Sequence, residues 1–296
     1  MKKIGKKRNP KDQFYTNVGI SAYCIEVFQS VIDVNCEDIL LEPSAGSGSF
    51  SDYLLEQSYN VLAFDIEPKK EYIKKQNYLE LDHTIYNNKT IHCIGNPPFG
   101  PQSSLAKHFI KQSSEFCETI SFILPKSFRK ESFQKSFPLN FHLIKEIDLP
   151  KNAFTIDGDN HNVPCVFQIW VKKDIERLIS PHVTEKGFKF IKKPELKEIH
   201  FNEEIKKENI FVEEPDFGIL RAGGGKKCGR ISLEYKDGIA CYAEAWLFIK
   251  LDSNYDKDKF YDEYKKIDWN DDSNVGPRSI DKQTFTKGIN RVIEII

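Results

Sequence analysis

The sequence lacks several features that would place it in particular classes of protein. It carries 43 basic and 44 acidic residues, a formal net charge of -1. The overall charge therefore gives no indication of a polyanion partner, and any nucleic-acid binding must come from local basic patches. No apolar run approaches the roughly 18 residues of a membrane span, and the basic N-terminus is not followed by the apolar core of a signal peptide. We expect a folded protein with no membrane partner.

Cysteine pairs are also lacking. The seven cysteines are scattered and form no C-x-x-C motif. Several lie within apolar runs, where a thiol behaves as a small hydrophobic side chain. We therefore expect no structural zinc or other metal site, and a cytoplasmic or other reducing intracellular compartment.

Regular alternation of short apolar runs and helical patterns is present in the first half of the chain. Strands are predicted at 37–43, 59–66, 90–96, 119–125, 141–150 and 163–173, and helices at 20–32, 49–57, 67–76, 103–116 and 129–137. This alternation predicts an α/β fold with a doubly wound, mostly parallel sheet.

The alternation ends after Lys173. Charge density then rises, and three consecutive glycines at 223–225 interrupt any regular element. We predict a domain boundary near 174–184 and a smaller α+β region over 185–296. Its stretch RAGGGKKCGR carries four cations and could contact phosphates, although a solvated loop fits the same pattern. A helix capped by Ser279 or Asp281 is predicted near the C-terminus.

A glycine-containing turn follows the first strand, in LLEPSAGSGSF. Gly46 and Gly48 allow a sharp turn and a close approach of the backbone to a ligand. The turn lacks the third glycine of G-x-G-x-x-G and the Gly-Lys-Ser/Thr of a phosphate loop, and by itself a tight strand-to-helix turn explains it equally well. Asp65 ends the next strand, where a carboxylate can accept hydrogen bonds from two ribose hydroxyls. Together the two features indicate a nucleoside-containing cofactor.

The third strand ends in IHCIGNPPFG. Two consecutive prolines cannot continue a helix or donate to a sheet, so the chain must leave the strand on a stiff backbone. Asn96 and Phe99 are therefore predicted to lie on a fixed turn at the strand end.

The order of EPSAGSGSF, FDIEP and GNPPFG resembles that of the class I S-adenosylmethionine-dependent methyltransferases, more narrowly those that methylate exocyclic amines. The segment DQFYTNVGIS resembles the Phe-Tyr-Thr-Pro segment of gamma-type adenine-N6 DNA methyltransferases, with Asn17 in place of the proline. The resemblance implies a Rossmann-like seven-stranded catalytic domain over 1–175 and a target-recognition-like region over 176–296. It further implies methylation of adenine N6 in DNA, with base flipping.

The resemblance also implies roles for individual residues. In the family, the corresponding positions hold the methionine end of the cofactor, its ribose and its adenine. The cofactor-binding residues implied here are Thr16, Glu42, Pro43, Gly46, Gly48, Asp65, Asn77 and Tyr78. Asn77 stands where the family has an acid, but its carbonyl could still accept from the adenine amine; an exposed loop residue is the alternative.

The catalytic residues implied by the resemblance are Asn96, Pro97, Pro98, Phe99 and Phe154. The Asn96 side-chain carbonyl and the Pro97 backbone carbonyl would accept from the target amine and aim its lone pair at the methyl group, so positioning and electrostatics would do most of the work. Phe99 would stack on the flipped base. Phe154 would close the other side of the base, or else belong to the core.

Several questions stay open at this level. The same tetrapeptide occurs in RNA-adenine and protein-glutamine methyltransferases, and a catalytically silent binding subunit would share the fold. DNA is favoured over RNA because of the motif order and the C-terminal extension. Lys126, Arg129 and Lys130 could meet substrate phosphate, although the start of a solvated helix is the favoured interpretation of these residues. The oligomeric state is not predicted.

Overall fold

The computed structural model describes residues 15–86, 88–151, 153–156, 159–161, 163–179, 181–201, 204–222, 228–232, 245–269 and 280–296. The chain divides into two compact units, Met1–Ile179 and Ser180–Ile296. Within the described residues, no helix combines the length and the apolar character needed to cross a membrane.

The N-terminal unit alternates strands and helices, as its hydrophobic pattern predicts. Its strands are β1 (Tyr15–Thr16), β2 (Ile39–Glu42), β3 (Val61–Asp65), β4 (Lys74–Lys75), β5 (Ile91–Gly95), β6 (Thr119–Pro125), β7 (Phe141–Asp148), β8 (Phe154–Ile156), β9 (Asp159–His161) and β10 (Cys165–Lys172). Its α-helices are α1 (Val18–Gln29), α2 (Ser49–Glu56), α3 (Ser104–Phe116) and α4 (Glu131–Gln134). Short 3-10 helices occupy Tyr78–Glu80, His83–Tyr86, Pro101–Ser103 and Lys126–Arg129.

Seven strands form one sheet in the order β4-β3-β2-β5-β6-β10-β7. All neighbours are parallel except β10, which is antiparallel to both β6 and β7. This confirms the predicted doubly wound, mostly parallel, Rossmann-like sheet. The chain builds outwards from β2 to β4 and then returns to place β5 on the other side of β2. The ends of β2 and β5 therefore flank the switch point where open α/β sheets bind ligands.

The core of this unit lies around the central strands. Every residue of β5 and β6 is buried, as expected for parallel strands that are covered on both faces. Helix α3 buries Ala106, Phe109 and Ile110. The rings of Phe137 and Trp170 stack with centroids 4.0 Å apart. The central strands are thus fixed by packing, which makes their carboxyl ends a rigid base for a site.

The predicted helix at 67–76 is wrong. The segment instead runs through turns and ends in β4, which pairs in parallel with the end of β3. Two backbone N–H groups near its start bond outside the segment: Glu67 N–H donates to the Asp65 carboxylate, and Lys69 N–H donates to the Gly46 carbonyl oxygen. These bonds and the pairing with the sheet edge replace the i to i-4 bonds of a helix, which explains why local propensity does not decide this segment.

The C-terminal unit has the predicted α+β composition. Its elements are β11 (Phe188–Ile191), β12 (Glu195–Phe201), β13 (Glu204–Ile210), β14 (Phe217–Leu220), β15 (Ile231–Ser232), β16 (Trp246–Leu251), α5 (Lys257–Tyr264) and α6 (Lys282–Ile295). An antiparallel sheet has the order β11-β16-β14-β15, and β12 pairs with β13. Phe217, Phe260 and Phe285 are fully buried in its core.

Helix α6 begins as predicted. Asp281 is its N-cap, with one carboxylate oxygen 3.0 Å from the Thr284 backbone nitrogen, which donates to it. The alternative cap, Ser279, lies outside the described residues, as do the glycines 223–225 and Lys226 and Lys227 of the basic stretch. Arg221 and Arg230 of that stretch are described, and Arg230 is exposed.

Candidate functional site

The loop between β2 and α2, residues 43–48, is called the glycine loop below. Gly46 has φ +51°, in the left-handed region, and a Cβ there would lie 3.2 Å from Cε1 of the Tyr15 ring. Gly48 has φ +83°, and a Cβ there would lie 2.3 Å from the Tyr72 hydroxyl oxygen. Both positions therefore require glycine, for backbone conformation and for space.

Asp65 ends β3 beside this loop. One of its carboxylate oxygens lies 2.7 Å from the Gly46 backbone nitrogen and the other 2.7 Å from that of Glu67, and both N–H groups donate to it. A carboxylate has about four acceptor positions. The two backbone bonds fix its orientation and leave capacity for further donors, such as a pair of hydroxyl groups.

Glu42 ends β2 and is 2% exposed. The Ser51 backbone N–H, 2.9 Å away, and the Ser51 hydroxyl both donate to its Oε2. Burial raises the pKa of the Glu42 carboxyl to about 8, against the opposing effect of the two Ser51 hydrogen bonds. A Cβ on Gly95 of β5 would lie 3.3 Å from the Glu42 Cγ, so the glycine before Asn96 makes room for this side chain.

Thr16 reaches the same place through a second, small sheet. β1 pairs with β8, which sets Thr16 opposite Phe154. Asn17 follows with φ -63°, the value a proline would impose, and its side-chain oxygen accepts from the Gly19 N–H at the start of α1. Its own N–H donates to the Ala153 carbonyl oxygen over 3.0 Å, a bond that proline could not make. Asn17 thus keeps the backbone conformation of a proline at this position and adds a helix cap.

Asn77 and Tyr78 follow β4. The Asn77 carbonyl oxygen accepts from the Leu79 N–H over 3.2 Å, and its amide donates to Glu80 over 2.7 Å. The Tyr78 ring stacks on Phe109, with centroids 5.4 Å apart, and its hydroxyl lies 2.8 Å from that of Ser113. The Asn77 amide is therefore already held by local bonds, and Tyr78 is anchored in the core.

The residues 96–99 that follow β5 are called the NPPF turn below. The Asn96 backbone carbonyl oxygen accepts from the Ser44 hydroxyl of the glycine loop over 3.1 Å. The Phe99 carbonyl oxygen accepts from the N–H groups of Leu105 and Ala106, over 3.1 and 3.3 Å. Gly100 then turns with φ +69°. Both ends of the turn are thus hydrogen-bonded, and its two prolines stiffen the middle.

These elements enclose a cavity of about 480 Å³. Of the predicted site residues, Thr16, Glu42, Pro43, Gly46, Asp65, Asn77, Tyr78, Asn96, Pro97, Pro98 and Phe99 line it. Gly48 and Phe154 are not among its lining residues. Gly48 instead begins α2, and Phe154 is fully buried in the hydrophobic core, which is the alternative that the sequence left open for it.

Sequence reasoning missed other residues of the cavity wall. They are Tyr15, Ser44, Ala45, Ser47, Ser49, Ile66, Glu67, Gln76, Leu79, Leu105 and Phe109. Leu105 and Phe109 are four residues apart on α3, a spacing that places both on one helix face and that the sequence shows. Tyr15 carries no comparable signal, because only the pairing of β1 with β8 brings its ring against Gly46.

The cations after β6 are paired with acids. Lys126 lies 2.6 Å from Asp148, and Arg129 lies 2.8 Å from Glu146 and 2.9 Å from Asp148. Hydrogen bonds from Arg129 and Lys126 lower the pKa of Asp148. These acids on β7 compensate both cations, so neither is simply a free positive charge for a phosphate.

No protein-family model and no curated protein matches the chain. Among solved structures, it is similar to a proposed RNA methyltransferase from Pyrococcus horikoshii, with 16% identity, a TM-score of 0.41 and coverage of 57% of this chain and 93% of that one. A proposed class I S-adenosylmethionine-dependent methyltransferase from Listeria monocytogenes has 16% identity and a TM-score of 0.41, covering 60% and 65%. TrmN from Thermus thermophilus has 14% identity and a TM-score of 0.38, covering 53% and 52%. The assignment of the fold rests on the strand order of this chain itself.

Proposed function

We propose that this protein transfers a methyl group from S-adenosylmethionine to the exocyclic N6 amine of adenine in DNA. One observation carries the proposal: the glycine loop and the NPPF turn, which lie 48 residues apart between Gly48 and Asn96, open into the same cavity. A cofactor bound at the loop and an amine held at the turn would therefore share one enclosed space.

The cavity residues fit such a cofactor. Its volume of about 480 Å³ lies within the range of about 300–1,000 Å³ typical of small-molecule sites. Asp65, fixed by two backbone bonds, offers acceptors for ribose hydroxyls, and Glu42 with Thr16 offers polar groups for an aminocarboxylate. The stacked pair Tyr78 and Phe109 offers an apolar wall for a purine. When bound, the cofactor supplies a methyl group made electrophilic by its sulfonium.

The NPPF turn supplies the groups that would act on the amine. The lone pair of an adenine amine is delocalised into the ring, so it must be localised and aimed. The Asn96 side-chain carbonyl and the Pro97 backbone carbonyl would accept its two hydrogens. A neutral amide does this without ionising, and its rigid placement supplies the positioning on which such a displacement depends. Phe99, 9% exposed at the cavity wall, offers a face for the base.

A base within a duplex cannot reach this cavity, so the proposal includes extrusion of the adenine from the stack. The C-terminal unit would then grip the flanking DNA. Arg221 and exposed Arg230 are the described cations of its basic stretch. DNA is preferred to RNA because the Thr16 segment, the glycine loop, the NPPF turn and this unit follow one another in the gamma-type order.

The test is to incubate the protein with isotopically labelled S-adenosylmethionine and either unmethylated duplex DNA or RNA of the same sequence, followed by nucleoside mass spectrometry. We expect labelled N6-methyladenine in DNA. Product confined to RNA would refute the choice of polymer and leave the amine chemistry in place. Labelled N4-methylcytosine would refute the choice of base. Asn96→Ala serves as the matched inactive protein, because it keeps the glycine loop and both prolines.

A further inference from the structure

Glu42 is an unusual group for a cavity wall. Its side chain is only 2% exposed, yet it forms no ion pair with any Lys, Arg or His that the structure describes. A buried carboxylate without a cation is costly, and such a group normally takes up a proton instead. The Glu42 side chain therefore lies at the cavity wall, where it could pair with a positively charged group of a ligand.

Ser51 and Tyr72 lie close to Glu42. Ser51 donates to Glu42 through its N–H and its hydroxyl. The Tyr72 hydroxyl, nearby, lies 2.5 Å from Asp52, to which it donates. Lys70 pairs with the other oxygen of Asp52. The close approach of Tyr72 depends on Gly48, whose Cβ would lie 2.3 Å from the Tyr72 oxygen.

We propose that Glu42 is protonated in the unliganded protein and releases this proton to solvent when the ammonium group of the cofactor's aminocarboxylate binds beside it, with Ser51 as a positioning residue. The proposal rests on the cofactor of the proposed function. In the step, the O–H bond of Glu42 breaks, the proton goes to water, and the carboxylate that remains pairs with the ammonium. Nothing is oxidised or reduced.

The surroundings of Glu42 favour this linkage. Burial raises its pKa to about 8, and the negative charge of Asp52 on α2 also raises it. The other titratable neighbour is Tyr72, whose own pKa is raised by burial and by Asp52. From β5, the residue against Glu42 is Gly95, which has no side chain. The Ser51 hydrogen bonds act in the opposite direction and hold the ionised form once it exists.

The size of the effect follows from these values. With a pKa of about 8, Glu42 carries about 0.9 proton at pH 7 and loses it on binding. A ligand amine with a pKa of about 7.7–8.0 is about 0.1 proton short at the same pH and takes that fraction up when it binds as ammonium. Net release of about 0.8 proton per ligand is therefore expected.

The test is calorimetry of S-adenosylhomocysteine binding at pH 7 in two buffers of different ionisation enthalpy, which counts protons independently of any methyl transfer. We expect release of about 0.8 proton by the unmodified protein. Glu42→Gln should show no release and an uptake of about 0.1 proton. 5′-Methylthioadenosine, which lacks the aminocarboxylate, should bind without proton release. Binding of S-adenosylhomocysteine with no release, or with equal release by Glu42→Gln, would overturn the proposal.

Two further variants keep the carboxyl group and so remain informative if Glu42→Gln does not fold. Ser51→Ala removes a donor to the ionised form, so affinity at pH 7 should fall about tenfold while proton release moves towards one. Tyr72→Phe leaves both Ser51 hydrogen bonds to Glu42 in place, so it should change affinity by a smaller factor. Tyr53→Phe is the matched control, because this α2 tyrosine contacts exposed Glu26 instead.

The outcomes separate this inference from the proposed function. Proton release without any methylation of nucleic acid would support the inference about Glu42 and refute the proposed function. Methylation without proton release would do the reverse. An affinity that is equal at pH 6 and pH 7.5 in the unmodified protein would also contradict the linkage, since it requires affinity to rise with pH below about 8.

Discussion

The two ends of the parallel strands, called the amino edge and the carboxyl edge below, use polar residues in opposite ways. At the amino edge, His92 Nδ1 lies 3.0 Å from the Thr119 hydroxyl and His92 Nε2 lies 3.4 Å from the Asp38 carboxylate, with all three side chains buried. At the carboxyl edge, Glu42, Asp65 and Asn96 surround a cavity of about 480 Å³. The first cluster is closed on itself, whereas the second surrounds space for a ligand.

The difference shows how the fold places polar residues that stabilise the sheet at one end of the strands and polar residues that could bind a ligand at the other. At the amino edge, the strands β2, β5 and β6 stay side by side, so His92 and Thr119, which are register partners, face each other directly. At the carboxyl edge, the loops after β2 and β5 diverge from the switch point and leave a crevice. Polar side chains therefore bond one another at one end of the strands and line a ligand-sized cavity at the other.

Among the substitutions that test this difference, Asn96→Ala at the carboxyl edge should have the largest effect. Removal of the side-chain acceptor should lower the methyl-transfer rate about 10²–10³-fold, the usual cost of one transition-state hydrogen bond in a preorganised site. Cofactor affinity should hardly change, because the hydrogen bond from Ser44 of the glycine loop goes to the Asn96 backbone carbonyl, which the substitution keeps. Single-turnover rates and calorimetric affinities measure the two separately. Equal losses in both would mean that Asn96 has a different role.

Asp65→Ala should have the reverse signature. Hydrogen bonds to a charged group contribute about 1.5–3 kcal/mol, so cofactor affinity should fall by about 10–100-fold. Some of this loss will come from the glycine loop, since Gly46 N–H loses its acceptor. Asp65→Asn, which can still accept one backbone bond, should lose less. Titration with S-adenosylhomocysteine would show it, and unchanged affinity in both variants would exclude Asp65 from the cofactor site.

Gly100→Ala tests the backbone that holds the NPPF turn. Its φ is +69° and its Cβ would lie 2.9 Å from the Leu105 Cγ, so we expect a loss of about 1–2 kcal/mol in the free energy of unfolding. The matched control is Gly19→Ala in α1, where the nearest atom would be 3.9 Å away and alanine should be neutral or stabilising. Urea denaturation measures both. A neutral Gly100→Ala would show that the turn tolerates another conformation.

The smallest effect is expected at the amino edge. Burial lowers the pKa of His92 despite the opposing influence of Asp38, so the unfolded state binds a proton more readily. The contribution of His92 to stability should be complete above the usual histidine pKa of about 6.5 and fall below it, by at most about 1.4 kcal/mol per pH unit. Glu42, whose pKa burial raises to about 8, has the opposite pH dependence over this range. The His92 contribution is therefore the difference in urea denaturation between the unmodified protein and His92→Gln at pH 7.5 and 5.5.

Replacement of His92 by Gln should remove this part of the pH dependence, whereas His108→Gln, at an exposed position of α3, should retain it. Methyl transfer at pH 7.5 should survive His92→Gln in the folded protein, because His92 lies at the opposite edge from the cavity. Loss of activity without loss of stability would contradict the division between the two edges.

Local patterns predicted much of the fold. Six of the seven strands of the sheet, all except β4, follow from apolar runs long enough for strands, and the cap at Asp281 follows from its position before a helical pattern. The segment 67–76 was mispredicted because tertiary bonds to Asp65 and Gly46 outweigh its helical pattern. For Phe154 the sequence leaves open a position against the substrate or in the core; the structure pairs it with Thr16 and buries it fully in the core cluster.

The sequence alone determined which residues stand at strand ends, because hydrophobic periodicity and the Pro-Pro and glycine turns are local properties. Only the tertiary structure decided that the glycine loop, Thr16 and the NPPF turn share one cavity, since this depends on which strands are neighbours and on the small sheet that carries Thr16. The tertiary structure also decided the environment of Glu42. Burial without a neighbouring cation comes from the packing of β2, α2 and Gly95, and no stretch of sequence encodes it by itself.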